Sequence, residues 1–411
     1  MKILQLCKKF PLPLKDGESI AVTYLSRALH ELGCEVTLLA MNTSKHYIDL
    51  DKVKSLAKHY KAVYTVDIDN ALNPVDAFKN LFSKDSYHIS RFRSDEFSQK
   101  LEKLLKEENY DIVQLETLYL APYMETIRKH SNALVAMRSH NIEHEIWDRI
   151  TQNTQFLPKK WYIQYLSKKL KSFELGVLND YDFLIPISQR DLEKFRNLGY
   201  VNGAQTIPIG IDFREYKPNM ASFRKNPSVS FIGSLDWIPN YEGINWFLNE
   251  VWPEVHKNIP DLELHIAGRN TPDDLFRWSK SKVLIHGEVR DAREFINQHP
   301  MMIVPLLSGS GMRAKILEGM ALGKVVITTT LGLEGIFAED GREVLVADTP
   351  EEFLEKFNYC LDNPREMIRI SKAAKRFVSE NFDNFDLAKN LISSYQSYMK
   401  KHGFKISEEI S

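Results

Sequence analysis

The feature that most limits the fold is a succession of short apolar runs that scarcely alternate in polarity. Residues 3–7 (ILQLC), 35–40, 63–68, 111–115, 133–137 and 183–187 make one series. VSFIG (229–233), LELHIAG (262–268), KVLIHG (282–287), MMIVPL (301–306) and VVITT (325–329) make a second. A strand that is apolar on both faces must be covered on both, as parallel strands between helices are. The intervening segments have helical spacing. In 19–32 the apolar positions are Ile20, Leu25, Ala28, Leu29 and Leu32, and Gly33 follows as a helix stop. Strand, helix and strand in alternation predict an α/β chain with two Rossmann-like doubly wound lobes facing a cleft.

The chain length of 411 residues suits two such domains. We expect an N-terminal lobe at 1–207, a second lobe at 208–384 and a last amphipathic helix at 385–411, centred on 385–401. Segment 212–227 carries Pro218, Asn219, Asn226 and Pro227 with weak periodicity and reads as a linker. Lys plus Arg number 54 against 55 Asp plus Glu, so no whole-protein field attracts nucleic acid. The cysteines, Cys7, Cys34 and Cys360, are few and scattered, which argues against a disulfide framework or a zinc site. The first residues lack the apolar core of a signal peptide, and no stretch approaches ~20 consecutive apolar residues. A cytoplasmic protein is expected.

Ligands of doubly wound sheets bind beyond the carboxyl ends of the strands. The segment PLLSGSGMRAKILEGMALGKVVITT (305–329) lies at such a place. The loop Ser308-Gly309-Ser310-Gly311 opens a helix expected at 312–322, with Gly323 as its stop. Glycines let several N–H groups turn towards one anion, and a helix N-terminus adds positive potential. Diphosphate is the natural guest. Met312, Ile316 and Met320 form a buried stripe, while Lys315 and Glu318 lie three apart on another face. A lysine there can neutralise phosphate, and a carboxylate can accept ribose hydroxyls. On pattern alone, a plain turn with a surface Lys–Glu pair is an equal reading.

GSGMRAKILEGMALGKVVITT resembles the donor-binding segment of family 4 retaining glycosyltransferases with the GT-B fold, within the glycosyl transferases of group 1. PLPLKDGESIAVTYLSRALHELGCEVTLLA (11–40) resembles that family's N-terminal glycine loop and first helix. RSHNIEHEIW (138–147) resembles its histidine segment, PIGIDFREYKP (208–218) its interdomain segment, and FIGSLDWIPNYEGINWFLNEVWP (231–253) the start of its second lobe. The resemblance implies a metal-independent transfer without cofactor. The donor is a nucleotide diphosphate sugar, UDP- or GDP-linked, held mainly by the C-terminal lobe. The acceptor, a glycan or lipid-linked saccharide, is held mainly by the first lobe, to which the last helix crosses back. Polysaccharide biosynthesis is the expected setting.

The resemblance also implies roles for particular residues. His140, Ser310 and Glu318 belong to the reaction centre. Gly17, Gly233, Gly309, Gly311, Met312, Arg313, Lys315, Glu318 and Glu334 belong to the donor site, and Gly17 and Asn141 to the acceptor site. Two departures stand out. The family often has two glutamates separated by seven residues; Glu318 matches the second, but Ser310 stands at the first. Many members also place an arginine and a lysine early in the second lobe, where this chain offers Ser234 and Glu242. Arg313 and Lys315 are expected to supply the missing positive charge.

Other features have bland readings. Gly17 can be a turn glycine, and Glu334 can cap a helix. His140 and His144 are spaced i, i+4, but the order is not HExxH and no third ligand is evident, so a metal is not expected. Asp67 and Asp69 read as a strand end. Residues 156–177 carry apolar residues at helical spacing (Tyr162, Leu166, Leu170, Phe173, Val177) and five lysines. They read either as a helix covering the first lobe, the preferred reading, or as a peripheral contact with anionic lipid at the inner face of a membrane. A same-face attack by the acceptor is the preferred chemistry. Two rivals are a sugar-nucleotide 2-epimerase of the same fold and a non-catalytic sugar-nucleotide binder.

Overall fold

The computed structural model describes residues 1–14, 16–71, 73, 80, 83, 85–225, 227–309 and 311–406. The chain forms two compact units, Met1–Gly210 with Asn384–Ser411, and Ile211–Asp383.

The first unit is built on a seven-stranded sheet of β1 (Lys2–Cys7), β2 (Glu35–Thr43), β3 (Ala62–Ile68), β4 (Ile112–Leu115), β5 (Leu134–Ser139), β6 (Phe183–Pro186) and β7 (Gly203–Ala204). Its order is β3-β2-β1-β4-β5-β6-β7 and the paired strands are parallel. Alternate residues of β1 enter two different cores. Leu4 and Leu6 join Val113, Val135 and Phe97, whereas Ile3 and Cys7 join Val36, Ile112 and Leu134. Both faces are therefore dry, which is why the strands are apolar throughout. The second core is covered by helix Gly17–Glu31 and by the last helix, Asn384–His402, through Ala388, Leu391 and Tyr395. Asn384 Nδ2 donates to the Tyr24 carbonyl at 3.2 Å, and the Tyr395 hydroxyl to Gln114 Oε1 at 2.9 Å.

The second unit has six parallel strands: β8 (Ser228–Ile232), β9 (Glu263–Ala267), β10 (Val283–Gly287), β11 (Met301–Val304), β12 (Val325–Thr328) and β13 (Leu345–Val346). Their order is β10-β9-β8-β11-β12-β13. In both sheets the chain winds outwards from its first strand and then reverses to the other side. The reversal opens a crevice at the carboxyl ends of β1 and β4, and of β8 and β11.

Three features differ from expectation. The two-residue edge strands β7 and β13 are too short to leave a pattern. The helix expected from 312 is Ala314–Ala321, so the glycine loop is longer. Segment 212–227 is not a loose linker. It holds two short 3₁₀ turns, Phe213–Glu215 and Met220–Arg224, fixed to the second unit. The fully buried Lys324 ammonium donates to Asn219 O at 3.2 Å, Ser222 Oγ at 3.1 Å and Asn297 O at 3.0 Å. The turn-forming residues are thus held by a cation more than a hundred positions away. Asn226 lies outside the described residues. Among the described residues no helix is long and apolar enough to cross a membrane.

Helix Ile238–Trp246 presses against the chain after β11. A Cβ at Gly243 would meet the Pro305 carbonyl oxygen well inside van der Waals contact. Gly243→Ala should destabilise the second unit by about 1–3 kcal/mol, because backbone rather than a flexible side chain must yield. Calorimetry should show its transition several degrees lower.

Candidate functional site

In the second unit the crevice lies between the ends of β8 and β11. After β11 the chain turns through Gly309 (φ 106°) and Gly311 (φ 79°), conformations that side chains resist. Arg313 occupies the position before helix Ala314–Ala321 and makes no side-chain cap; its guanidinium donates instead to the Gly311 carbonyl. The loop is tied to helix Ile238–Trp246 because the Ser308 hydroxyl donates to Glu242 Oε2. Glu242 is thus a loop anchor. Met312 is buried at 8% exposure.

From the second residue of the helix, the Lys315 ammonium donates to the Ile232 carbonyl at 2.9 Å and to Asn240 Oδ1 at 2.8 Å. Asn240 is oriented by donating from Nδ2 to Ser234 O at 2.9 Å. A Cβ at Gly233 would sit 2.7 Å from Lys315 Nζ, so only glycine leaves room for this arrangement. Burial pushes the Lys315 ammonium down to about 7; Arg313 adds to the effect and Glu318 opposes it. Among the described residues no carboxylate pairs with Lys315 within hydrogen-bond distance. An anion beside it would restore its proton.

Burial raises the Glu318 carboxyl above its ordinary range, against the opposing effects of Tyr216, Arg293 and Lys315. The Tyr216 hydroxyl donates to Glu318 Oε1 at 2.8 Å. Tyr216 is 2% exposed and lies in the segment that reads as a linker in sequence. Arg293 sits 5.9 Å from its ring and holds Asp291 and Glu215. Glu334 follows β12 in a series of turns, and the next helix in the chain begins at Pro350, so Glu334 does not open a helix of its own segment. Ser310 lies outside the described residues.

In the first unit, His140 follows β5 and Glu116 follows β4. His140 Nε2 stands 3.2 Å from Glu116 Oε2. Glu116 Oε1 accepts from Gln5 Nε2 at 2.6 Å and from Gln114 Nε2, and the buried Arg138 guanidinium lies 3.7 Å from Oε2. Burial alone would raise this carboxyl. The His140 hydrogen bond and the Arg138 charge outweigh it and hold Glu116 below its usual range. Asn141 accepts the Ser139 hydroxyl on its backbone oxygen at 2.6 Å. Gly17 is the first residue of its helix, behind the capping Asp16, which Lys9 pairs at 2.7 Å. Lys8 lies 3.2 Å from Glu18. Tyr119 donates to Glu143 at 2.9 Å, and burial lifts that carboxyl to about 7.

His144 is not part of a pair with His140. Its Nδ1 stands 2.6 Å from Glu174, whose carboxylate also accepts the N–H groups of Glu143 and His144. Among the described residues no group of three or more His, Cys, Asp or Glu is placed to hold a metal ion. Asp67 accepts from Asn42 and Asp69 from Ser44, as strand-end residues do. Sequence reasoning missed Glu116, Asn240, Tyr216 and Arg293. A signal existed for the first: Gln5, Gln114 and Arg138 are polar residues inside otherwise apolar strands.

Two Rossmann-like parallel sheets, one carrying a glycine loop, a lysine and a glutamate at its switch point, give this chain the two-lobed fold of the GT-B glycosyltransferases. Residues 226–363, most of the second unit, match the family model described as Glycosyl transferases group 1. A Klebsiella pneumoniae protein, described as an uncharacterized 44.6 kDa protein in the cps region, is 25% identical over 93% of this chain and 97% of its own. Sucrose-phosphate synthase from Thermosynechococcus elongatus has the same fold (TM-score 0.74, 14% identity, 98% of this chain and all of that one). So does Anabaena HepE in complex with UDP-glucose (TM-score 0.66, 15% identity, 97% of this chain and all of that one).

The depressed Lys315 makes a pH prediction. Below about pH 7 the ammonium is charged in the free protein; above it, anion binding must take up a proton. Sugar-nucleotide affinity should therefore fall as pH rises through 7, by up to about tenfold per unit. Calorimetry in buffers of different ionisation enthalpy measures that uptake, and Lys315→Met should abolish it. A flat affinity profile for the wild-type protein would contradict this assignment.

Proposed function

We propose that this protein is a retaining glycosyltransferase of family 4 type. It transfers a sugar from a UDP- or GDP-linked donor to a hydroxyl of a glycan or lipid-linked saccharide, with no metal ion required. The observation that carries this reading is the helix Ala314–Ala321, which brings Lys315 to the end of β8 and Glu318 to Tyr216. The family match spans the same residues. The cps-region relative supports polysaccharide assembly as the setting.

In this reading the diphosphate lies on loop 309–311, against backbone N–H groups and the helix N-terminus. Lys315 and Arg313 supply the positive charge. As the bond between the sugar and the diphosphate breaks, negative charge grows on the leaving phosphate, and these fixed dipoles and cations stabilise it without reorganising. Glu318, oriented by Tyr216 through one oxygen, accepts ribose hydroxyls with the other. Its ionised form is the competent one, so the Tyr216 hydrogen bond also maintains its charge. The glycosyl carbon passes through an oxocarbenium-like state, and the acceptor attacks on the face the diphosphate leaves. In the first unit, Glu116 takes the proton of His140 Nε2 in a hydrogen bond, which leaves Nδ1 as an acceptor for a sugar hydroxyl.

Melting the purified protein with a panel of nucleotides and sugar nucleotides, in the presence of chelator, tests this directly. One nucleoside diphosphate at a hundred times its Kd should stabilise by ~2.7 kcal/mol. Glu318→Ala should remove the effect and Tyr216→Phe weaken it, by roughly 1–3 kcal/mol for a hydrogen bond to a charged group. With the donor known, NMR of the first product should show the donor's anomeric configuration preserved. No stabilisation by any nucleotide, or an inverted product, would refute the reading.

A further inference from the structure

Helix Leu157–Gly176 has two apolar faces, and only one of them is buried. Ile163, Leu166 and Leu170 pack into the first unit. On the other side Phe156, Leu157 and Trp161 are 68%, 76% and 70% exposed. Leu157, Trp161, Gln164, Lys168 and Lys171 are all exposed and recur at i+4, i+3, i+4 and i+3, so they form one outward stripe. Trp161 stacks on Tyr165, with ring centroids 6.4 Å apart and planes at 16°, which holds the indole in place on the surface.

The exposed charge along this helix is positive, because the two flanking carboxylates are engaged elsewhere, Asp148 by the Ser167 hydroxyl and Glu174 by His144. From Arg149 to Phe173 the sequence carries Arg149, Lys159, Lys160, Lys168, Lys169 and Lys171 and no carboxylate, in a chain whose formal net charge is -1. Lys169 is occupied with the Asn80 and Ser83 carbonyls; Lys159, Lys168 and Lys171 are exposed and Lys160 is half-buried. A water-exposed patch of Phe, Leu and Trp is costly to leave uncovered. An occupant must accept bulky apolar side chains at one end of the stripe and present negative charge along the rest. Aromatic and aliphatic side chains at the start of a helix, flanked by lysines, match the boundary between acyl chains and anionic headgroups.

We propose that this face docks the protein on an anionic lipid bilayer, with Phe156, Leu157 and Trp161 inserted at the headgroup boundary and Lys168 and Lys171, in line with them, and the adjacent Lys160 on the phosphates. The inference does not rest on the assigned reaction. The helix lies along the surface rather than across it, since its inner face is committed to the protein core.

Co-sedimentation of the full chain with phosphatidylglycerol–phosphatidylcholine vesicles, against phosphatidylcholine alone, tests the proposal. Binding should be at least tenfold tighter to the anionic vesicles and should weaken as salt rises. Lys168→Ala with Lys171→Ala should reduce it on the order of tenfold or more, at roughly fivefold for each lysine near the surface. Phe156→Ser, Leu157→Ser and Trp161→Ser together should abolish it. Because these side chains are exposed, the melting temperature should hold, which separates lost docking from lost folding. Quenching of Trp161 by brominated acyl chains, read as the difference from Trp161→Phe, should report insertion. Equal sedimentation with both vesicle types, no sedimentation with either, or unchanged binding by the triple variant would overturn the proposal. So would a concentration-dependent dimer, seen by ultracentrifugation, that the triple variant dissolves.

Discussion

The contact between the Lys315 ammonium and the end of β8 organises the second unit's site. A lysine without a carboxylate partner is drawn down a helix onto a strand-end carbonyl and an asparagine oxygen. That placement requires glycine at 233 and Asn240 on the following helix, and it fixes where helix Ala314–Ala321 starts relative to the sheet. Glu318, one turn further, then meets Tyr216. Fold and chemistry share one constraint here: the burial that makes Lys315 easy to deprotonate sets it among neutral partners, which leave its charge available to an anion.

The first unit solves a related problem with the opposite sign. Glu116 is buried at 1% exposure and stays ionised because Gln5, Gln114, Arg138 and His140 converge on it from three parallel strands and their ends. The network reaches the last helix through the Tyr395 hydroxyl on Gln114. Such a cluster is costly unless every member is satisfied, and it holds the imidazole of His140 in one orientation. The remote C-terminal helix therefore helps position a residue at the far end of β5.

Much of this was legible in the sequence for physical reasons. Doubly buried strands must be continuously apolar, so their runs marked β1–β6 and β8–β12 to within a few residues. Glycines at positive φ, such as Gly309, Gly311 and Gly323, marked the loop and the helix stop. The long-range partners were not legible. Tyr216 and Glu318 are separated by 102 positions, and Lys324 and Asn219 by 105, and no local pattern couples them. The same blindness made 212–227 look like a linker, since composition shows turn-forming residues but not the buried cation that ties them down. Helix Leu157–Gly176 shows the limit in another way: its buried stripe was visible, but which further apolar residues faced water was not.

The second unit begins at Ile211 and ends at Asp383, and these two residues pair as a parallel bridge, with Ile211 N–H donating to the Phe382 carbonyl at 2.7 Å. In the first unit, Gly210 and Asn384 are likewise in close contact, near enough that a Cβ on Gly210 would meet Asn384 Cα at 2.9 Å. The chain leaves one unit and returns to it at nearly the same point. The second unit is therefore an insertion with adjacent ends, a cassette in topological terms. Its exchange for another of the same fold cuts the chain at two neighbouring points, so the two units can vary as separable pieces of one polypeptide.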